Sequence, residues 1–462
     1  MFLNFQIIFI LVTLYQAQGK SLTPNQTVSF INDLLSNLDP FLDFVNKFKD
    51  TMTITTEDNS DSKLEEVLSD IGDISRSGIA KTNNGCSLSL RNDLKDPKMP
   101  LLIKPGTTLF YPYDENGVIN VDVNGEIELV CTRGFATPNQ PLLTITTAFC
   151  VGGQTFKILN NPINLGTVSC TAWNDVAVAN LSNSCNGGTK LIDVGFQLAP
   201  MRFASVYQVC FNENYEVTRY VQYTLYKGAN NFQNSARPSK FLKAGFFGGE
   251  ELDVIYTKQT QKVLVDRILG RDSAKYFNDN DYYLVKGHLA AKADFVYSSH
   301  QRATFLYINT APQWQSFNRA NWLAVENGLR KWVETNKQDL LCWSGVYGVT
   351  SLNDDMKTDT ELFLFEDNEN NFHLPVPKLF FRVVIEPISK LGVVLVGVNN
   401  PHVPINIIKQ SYVLCKDVAD KISYINWKRL DLKNGYSYAC EVNEFRKVVT
   451  HLPMFDVRGL LV

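Results

Sequence analysis

Apolar and polar positions change rhythm along the chain. Between residues 20 and 80, Ile31, Leu34, Leu35, Leu38, Leu42 and Val45 recur at helical spacing, with Pro40 set to kink or split the helix they predict. The stretch from Thr55 to Ser77 is acidic and polar with few aromatics, which fits a mobile linker or propeptide, or a small helical cap on the body. From Cys86 to about Asp193 the rhythm shortens to short strands. Ile119-Asn-Val-Asp-Val-Asn-Gly-Glu-Ile-Glu-Leu-Val-Cys131 alternates about an Asn-Gly turn signal. From about Gly195 to Val462 strands and helices mix. Ala204–Cys210, Val217–Tyr226, Phe380–Ile385 and Gly392–Gly397 read as strands. Asn318 to Glu334 reads as a helix, because Trp322, Val325, Leu329 and Val333 return at its period. The mixture is an α+β pattern.

Composition refines this picture. A chain of 462 residues exceeds one ordinary core, so about two or three domains are expected. The formal net charge of −3 excludes a global field that draws in polyanions, so any such site must be a local basic patch. An apolar run from Phe5 to Tyr15 ends at the small residues Ala17-Gln18-Gly19. It is shorter than the ~20 residues that span a bilayer, so it reads as a cleaved secretory signal and leaves no membrane anchor. Nine cysteines, none in a C-x-x-C pair, then predict disulfides and leave one thiol free or intermolecular. Asn25-Gln-Thr and Asn180-Leu-Ser are glycosylation acceptors that fit export.

Candidate chemistry gathers in two blocks. In Leu284-Val-Lys-Gly-His-Leu-Ala-Ala-Lys-Ala-Asp-Phe295 a strand ends at Gly287 and His288 follows, beside Lys286. A neutral imidazole next to a cation suits a general base near a polyanion, although a lone histidine at a strand end is more often structural. In the second block Asn318, Trp322, Glu326 and Arg330 stand four apart. At ~100° per residue they spread over roughly a third of a helix, offering an amide oxygen, a carboxylate and a guanidinium. A hard ion accepts such oxygen ligands and keeps waters, and the guanidinium suits phosphate. Alone, this helix would equally be a buried Trp beside a surface Glu–Arg pair.

Together the blocks resemble the DNA/RNA non-specific endonucleases, the ββα-metal or His-Me finger nucleases. Gly287-His288, Asn309-Thr-Ala-Pro-Gln313, Asn318, Trp322 and Glu326 stand at the family spacing. The match is nearest to insect secreted nucleases that degrade double-stranded RNA, and it covers most of the chain from Cys86 onward. The resemblance implies a ββα-metal nuclease domain at 195–462, preceded by a small β-rich, disulfide-containing domain at 86–194. Before these lie a signal peptide at 1–19 and a helical, acidic segment or propeptide at 20–85. It further implies a secreted endonuclease that hydrolyses DNA and RNA, double-stranded RNA included, with Mg²⁺ or Mn²⁺. By that resemblance His288 activates water, Asn318 binds the metal and Glu326 orients metal-bound water. Arg330 stabilises developing charge, and Arg237 is a second phosphate-binding arginine. Asn309 and Gln313 become scaffold hydrogen-bonders and Trp322 core. Two positions depart: Lys286 stands where the family has arginine, and Val285 where it has aspartate. The lysine keeps charge but loses the planar fork. The alternative it leaves open is a nucleic-acid-binding protein on the same fold with residual or no turnover.

Overall fold

The computed structural model describes residues 85–136, 143–185, 189–233, 240–247, 251–270, 275–277, 280–354, 356–367 and 370–462. The signal at 1–19, the segment to residue 84, Asn25 and Arg237 lie outside the described residues. Asn84–Val462 forms one compact unit. No described helix is long and apolar enough to cross a membrane.

The β-rich part opens with Cys86–Ser89 (β1), Leu101–Ile103 (β2), Val118–Val121 (β3), Glu126–Val130 (β4), Ile145–Gly152 (β5), Thr155–Ile158 (β6) and Asn161–Asn164 (β7). The Asn-Gly turn forms, with Asn124 at φ 61° and the Gly125 amide donating to the Asp122 carbonyl at 2.8 Å. The strands on either side of it do not pair with each other. β3 pairs with β1, whereas β4 lies between β2 and β5. The turn chemistry is local, but partner choice is set by packing: Ile119 and Val121 enter one core with Leu88, and Ile127 and Leu129 join it from the other sheet.

The body is a nine-stranded sheet. Its strands begin with Ala177–Cys185 (β8), Thr189–Ala199 (β9), Arg202–Asn212 (β10) and Val217–Leu225 (β11). Leu284–His288 (β12) and Thr310–Trp314 (β13) form a separate antiparallel pair, His288 facing Thr310. Leu340–Val349 (β14) rejoins the sheet beside β11. Four short strands follow in two hairpins, Ser351–Asn353 (β15) with Asp359–Glu361 (β16), and Phe363–Glu366 (β17) with Phe372–Pro375 (β18). Pro377–Ile385 (β19), Leu391–Val398 (β20), Ser437–Cys440 (β21) and the parallel Gly459–Leu460 (β22) complete the sheet. Residue 195 falls inside β9. Leu101, Ile103 and Val130 of the β-rich part lie in the same core as Val194, Phe196 and Val221 of the sheet.

Four disulfides form: Cys86–Cys150, Cys131–Cys170, Cys185–Cys210 and Cys415–Cys440. Cys342 is the thiol left over. It is buried within the sheet, and burial pushes it up to about 12, so it stays a protonated, inert thiol.

Candidate active site

The site is a ββα unit: β12, β13 and the helix that follows. Gly287 is needed because Gln313 packs across it. A Cβ at residue 287 would come within 2.3 Å of the Gln313 Oε1 and 2.6 Å of its Cβ. Neither end of the Gln313 amide has a partner among the described residues, so it fills space where a hydrogen-bonder was expected. Asn309 behaves as the scaffold. Its Oδ1 accepts from the Ala290 amide at 2.9 Å, and its Nδ2 donates to the carbonyls of Ala290 and Thr304 at 3.0 and 2.9 Å. That clamp fixes the turn by which the chain leaves His288.

His288 ends β12 against two rings, Phe241 with its centroid at 5.3 Å and Phe305 at 5.0 Å. The residue is half-buried, but its Nε2 is fully buried and has no hydrogen-bond partner. Burial, helped by the charge of Lys292, lowers its pKa to about 4. The imidazole is therefore neutral near pH 7, with a lone pair uncommitted.

The helix is continuous but not uniform. Asn318–Trp322 is π-helical and Leu323–Asn336 is α-helical. Bonding from i to i+5 inserts about one extra residue into that turn, so Asn318 is rotated off the stripe an ideal α-helix would give. The Asn318 amide nitrogen donates to Gln315 Oε1 at 3.4 Å, leaving the amide oxygen uncommitted. Trp322 is buried in the core, as expected. Glu326 is carried up to about 7, chiefly by burial, with Asp294 adding to the rise and Arg382 and Arg330 opposing it.

Two residues that sequence reasoning missed organise this centre, Asp294 and Arg382, both without exposed side-chain surface. Arg382 Nη1 donates to Asp294 Oδ2 at 3.1 Å, and its Nη2 donates to the carbonyl of Leu289 at 3.1 Å. The same Nη2 lies 4.0 Å from Glu326 Oε1. One guanidinium thus ties the residue after His288 to the Glu326 carboxyl. Asp294 also accepts from Tyr223 at 2.6 Å and from Arg330 Nη1 at 2.6 Å. Arg330 is buried, its Nη2 donating to Asn327 Oδ1 at 2.6 Å. Two guanidiniums face two carboxyls, so the cluster is formally neutral when Glu326 is ionised. The signals were there: Arg382 is the lone charge in Phe380-Phe-Arg-Val-Val-Ile385, and Asp294 follows His288 by six residues.

Lys286 stands elsewhere. Its ammonium is paired with Asp253 and lies 5.0, 5.7 and 5.0 Å from the ring centres of Phe241, Tyr256 and Tyr307. Tyr307 donates to the same Asp253 oxygen at 2.6 Å. Lys286 and Arg330 are therefore not side by side in one exposed patch: each has its own carboxylate. Beyond Asn318, Arg319 and Lys433 share Asp281, the latter at 2.7 Å.

Residues 187–445 match the model of the DNA/RNA non-specific endonucleases. The chain belongs to that family. A salivary endonuclease of Lutzomyia longipalpis is 27% identical over 379 residues, which cover 80% of this chain and 85% of that protein. Salivary protein Tsal2A of Glossina morsitans morsitans is 24% identical over 386 residues, 81% of this chain and 94% of that one. Among solved structures, the EndoG/EndoGI complex aligns at 18% identity over 44% of this chain and 76% of that chain. Its TM-score of 0.26 is too low to bear on the fold. Family membership and the salivary endonuclease relative make this protein a non-specific endonuclease. Its four disulfides and salivary relatives fit an extracellular protein.

Proposed function

We propose that the protein is a secreted, Mg²⁺-dependent endonuclease that hydrolyses phosphodiester bonds of DNA and RNA, duplex RNA included. The observation that supports this is the neutral, half-buried His288, whose neighbour Leu289 accepts from the same Arg382 that lies 4.0 Å from Glu326. His288, only half-buried, takes the proton of the attacking water on its imidazole. Its lowered pKa keeps the ring lone pair free at neutral pH. Glu326, ionised, orients water on the helix side. Arg330 and Arg382 lie behind the phosphate without a direct fork, since Asp294 holds both, and they oppose the rise of the Glu326 carboxyl. Lys286 adds charge from its aromatic cage, and Arg237 is, by the family pattern, a second phosphate-binding arginine.

The Asn318 amide oxygen is the metal donor in this reading, with Glu326 near it on the same helix. Among the described residues no group of three or more His, Cys, Asp or Glu is placed to hold an ion. Mg²⁺ keeps several waters and accepts one or two protein oxygens, which an amide oxygen and a carboxylate can supply. When bound, the ion supplies Lewis-acid stabilisation of the scissile phosphate and leaving oxygen. Residues 195–462 are the nuclease part and 86–194 its β-rich brace. Asn180, exposed on β8, is the described glycosylation acceptor.

The pairing of Lys286 with Asp253 favours a second reading, a nucleic-acid binder with residual turnover. Plasmid DNA and duplex RNA, incubated with the full chain and Mg²⁺ or a chelator, separate the two. Digestion with Mg²⁺ and none with chelator supports the enzyme. Tight retention of intact substrate under both conditions supports the binder.

A further inference from the structure

Behind the nuclease centre the main sheet forks. β10 and β11 pair from Gln208–Gln222 to Asn212–Val217 and no further. Beyond that point the earlier residues of β10 pair with β9, and Tyr223–Leu225 of β11 pair with β14. The fork holds a cavity of about 740 Å³, within the range of small-molecule sites. Thr108–Tyr113 of the β-rich part closes one wall, and residues 294–297 with His300 close the floor.

Its lining is chemically one-sided. Six tyrosines face it: Tyr111, Tyr113, Tyr207, Tyr223, Tyr226 and Tyr297. Asp193, Asp294 and Asp339 line it, and no lysine or arginine among the described residues does. Asp294 is neutralised by Arg330 and Arg382 behind the floor. The other two carboxylates each have one oxygen engaged by a neutral donor. Asp193 Oδ1 accepts from Ser205 at 3.0 Å, and Asp339 Oδ1 accepts from the Lys227 amide at 2.8 Å. Each has a second carboxylate oxygen beside the one so engaged. His300 Nε2 is buried with no partner among the described residues, and burial lowers that ring to about 3, so the imidazole is neutral and has one acceptor nitrogen. A phosphate or carboxylate ligand would meet like charge and no donor cation there. An ammonium would find carboxylates, an imidazole acceptor and aromatic faces.

We propose that this cavity is a binding site for a small organic amine cation with an aromatic or aliphatic body. The cavity shares Asp294 and Tyr223 with the back of the nuclease centre, whereas Asp193 and Asp339 belong to the cavity alone in this account. The full chain is titrated calorimetrically with phenethylammonium, and in parallel with phenylacetate and 2-phenylethanol, which share its body without its charge. Saturable binding of one cation per chain is expected, at least about tenfold tighter than either control. Asp193→Asn combined with Asp339→Asn should weaken the cation about tenfold or more while leaving nuclease activity in place, which shows that the variant is folded. No saturable cation binding would overturn the proposal. Equal binding of phenylacetate, or a double variant that binds as well as the parent, would overturn it too.

Discussion

Arg382 has no exposed side-chain surface, and its charge is compensated by Asp294 and Glu326. Breaking such a cluster costs more than a surface pair, because an uncompensated charge stays behind. It also sets when Glu326 ionises. Burial raises that carboxyl and Arg382 is the largest opposing influence. Arg382→Met should therefore raise it further. If ionised Glu326 is needed, the acidic limb of kcat/KM has its midpoint near 7 in the parent and moves to higher pH in the variant. Arg382→Lys should restore part of the shift. An unmoved midpoint, read from initial rates on plasmid DNA, would remove Glu326 from the ionisations that matter. At this scale the sequence was half legible. His288, Asn318 and Glu326 declare themselves by spacing. Asp294 and Arg382 act through a fold that joins residues 88 apart, which no local pattern carries. Lys286 shows the converse: its charge is plain in the sequence, but its cage of three rings and Asp253 is assembled from three separate segments.

At the scale of elements, apolar patterning placed β10, β11, β19, β20 and the helix through Glu326, the helix by one repeating buried face and β19 and β20 as nearly continuous buried runs. Its failures have local causes. The Asn-Gly turn does not make a hairpin, since β3 and β4 bury their apolar residues against different partners. The π-helical turn at Asn318 is invisible to a fixed period and rotates the metal-donor candidate. At Gly287 the closely approaching group is the Gln313 side chain, which lies far from it in the sequence. Gly287→Ala drives a methyl into the Gln313 Cβ, which cannot swing away as a chain end would. The expected loss is about 1–3 kcal/mol, seen as a lower urea midpoint, with the β12–β13 pair displaced and activity reduced. A midpoint and rate equal to the parent's would show that the pair has slack that the packing denies.

Over the whole molecule the buried imidazoles set the response to acid. His288, His402 and His451 are lowered to about 4 and His300 to about 3, each chiefly by burial. Their folded values lie below the unfolded value near 6.5, so the unfolded chain binds protons that the folded one refuses. Their stability contribution is present above about 6.5 and is lost as pH falls toward 4. Each contributes up to about 1.4 kcal/mol per pH unit in that window. Glu326, raised to about 7, has the opposite sign, its contribution being lost as pH rises through that value. Four imidazoles outweigh one carboxyl. The urea midpoint should fall from pH 7 to pH 5, and a midpoint constant over that range would contradict the burial of these rings. Sequence composition showed the scarcity of histidine but not its burial, nor that Leu101, Ile103 and Val130 pack into the same core as the main sheet.

The account rests on His288 as the group that takes a proton from water. The direct test is His288→Ala, assayed for single-turnover cleavage of plasmid DNA and duplex RNA at saturating Mg²⁺, with affinity for uncleaved substrate measured alongside. A general base contributes little to ground-state phosphate binding. The predicted result is a cleavage rate lowered by about 10²-fold or more with affinity near that of the parent. Cleavage at the parent's rate would contradict the account.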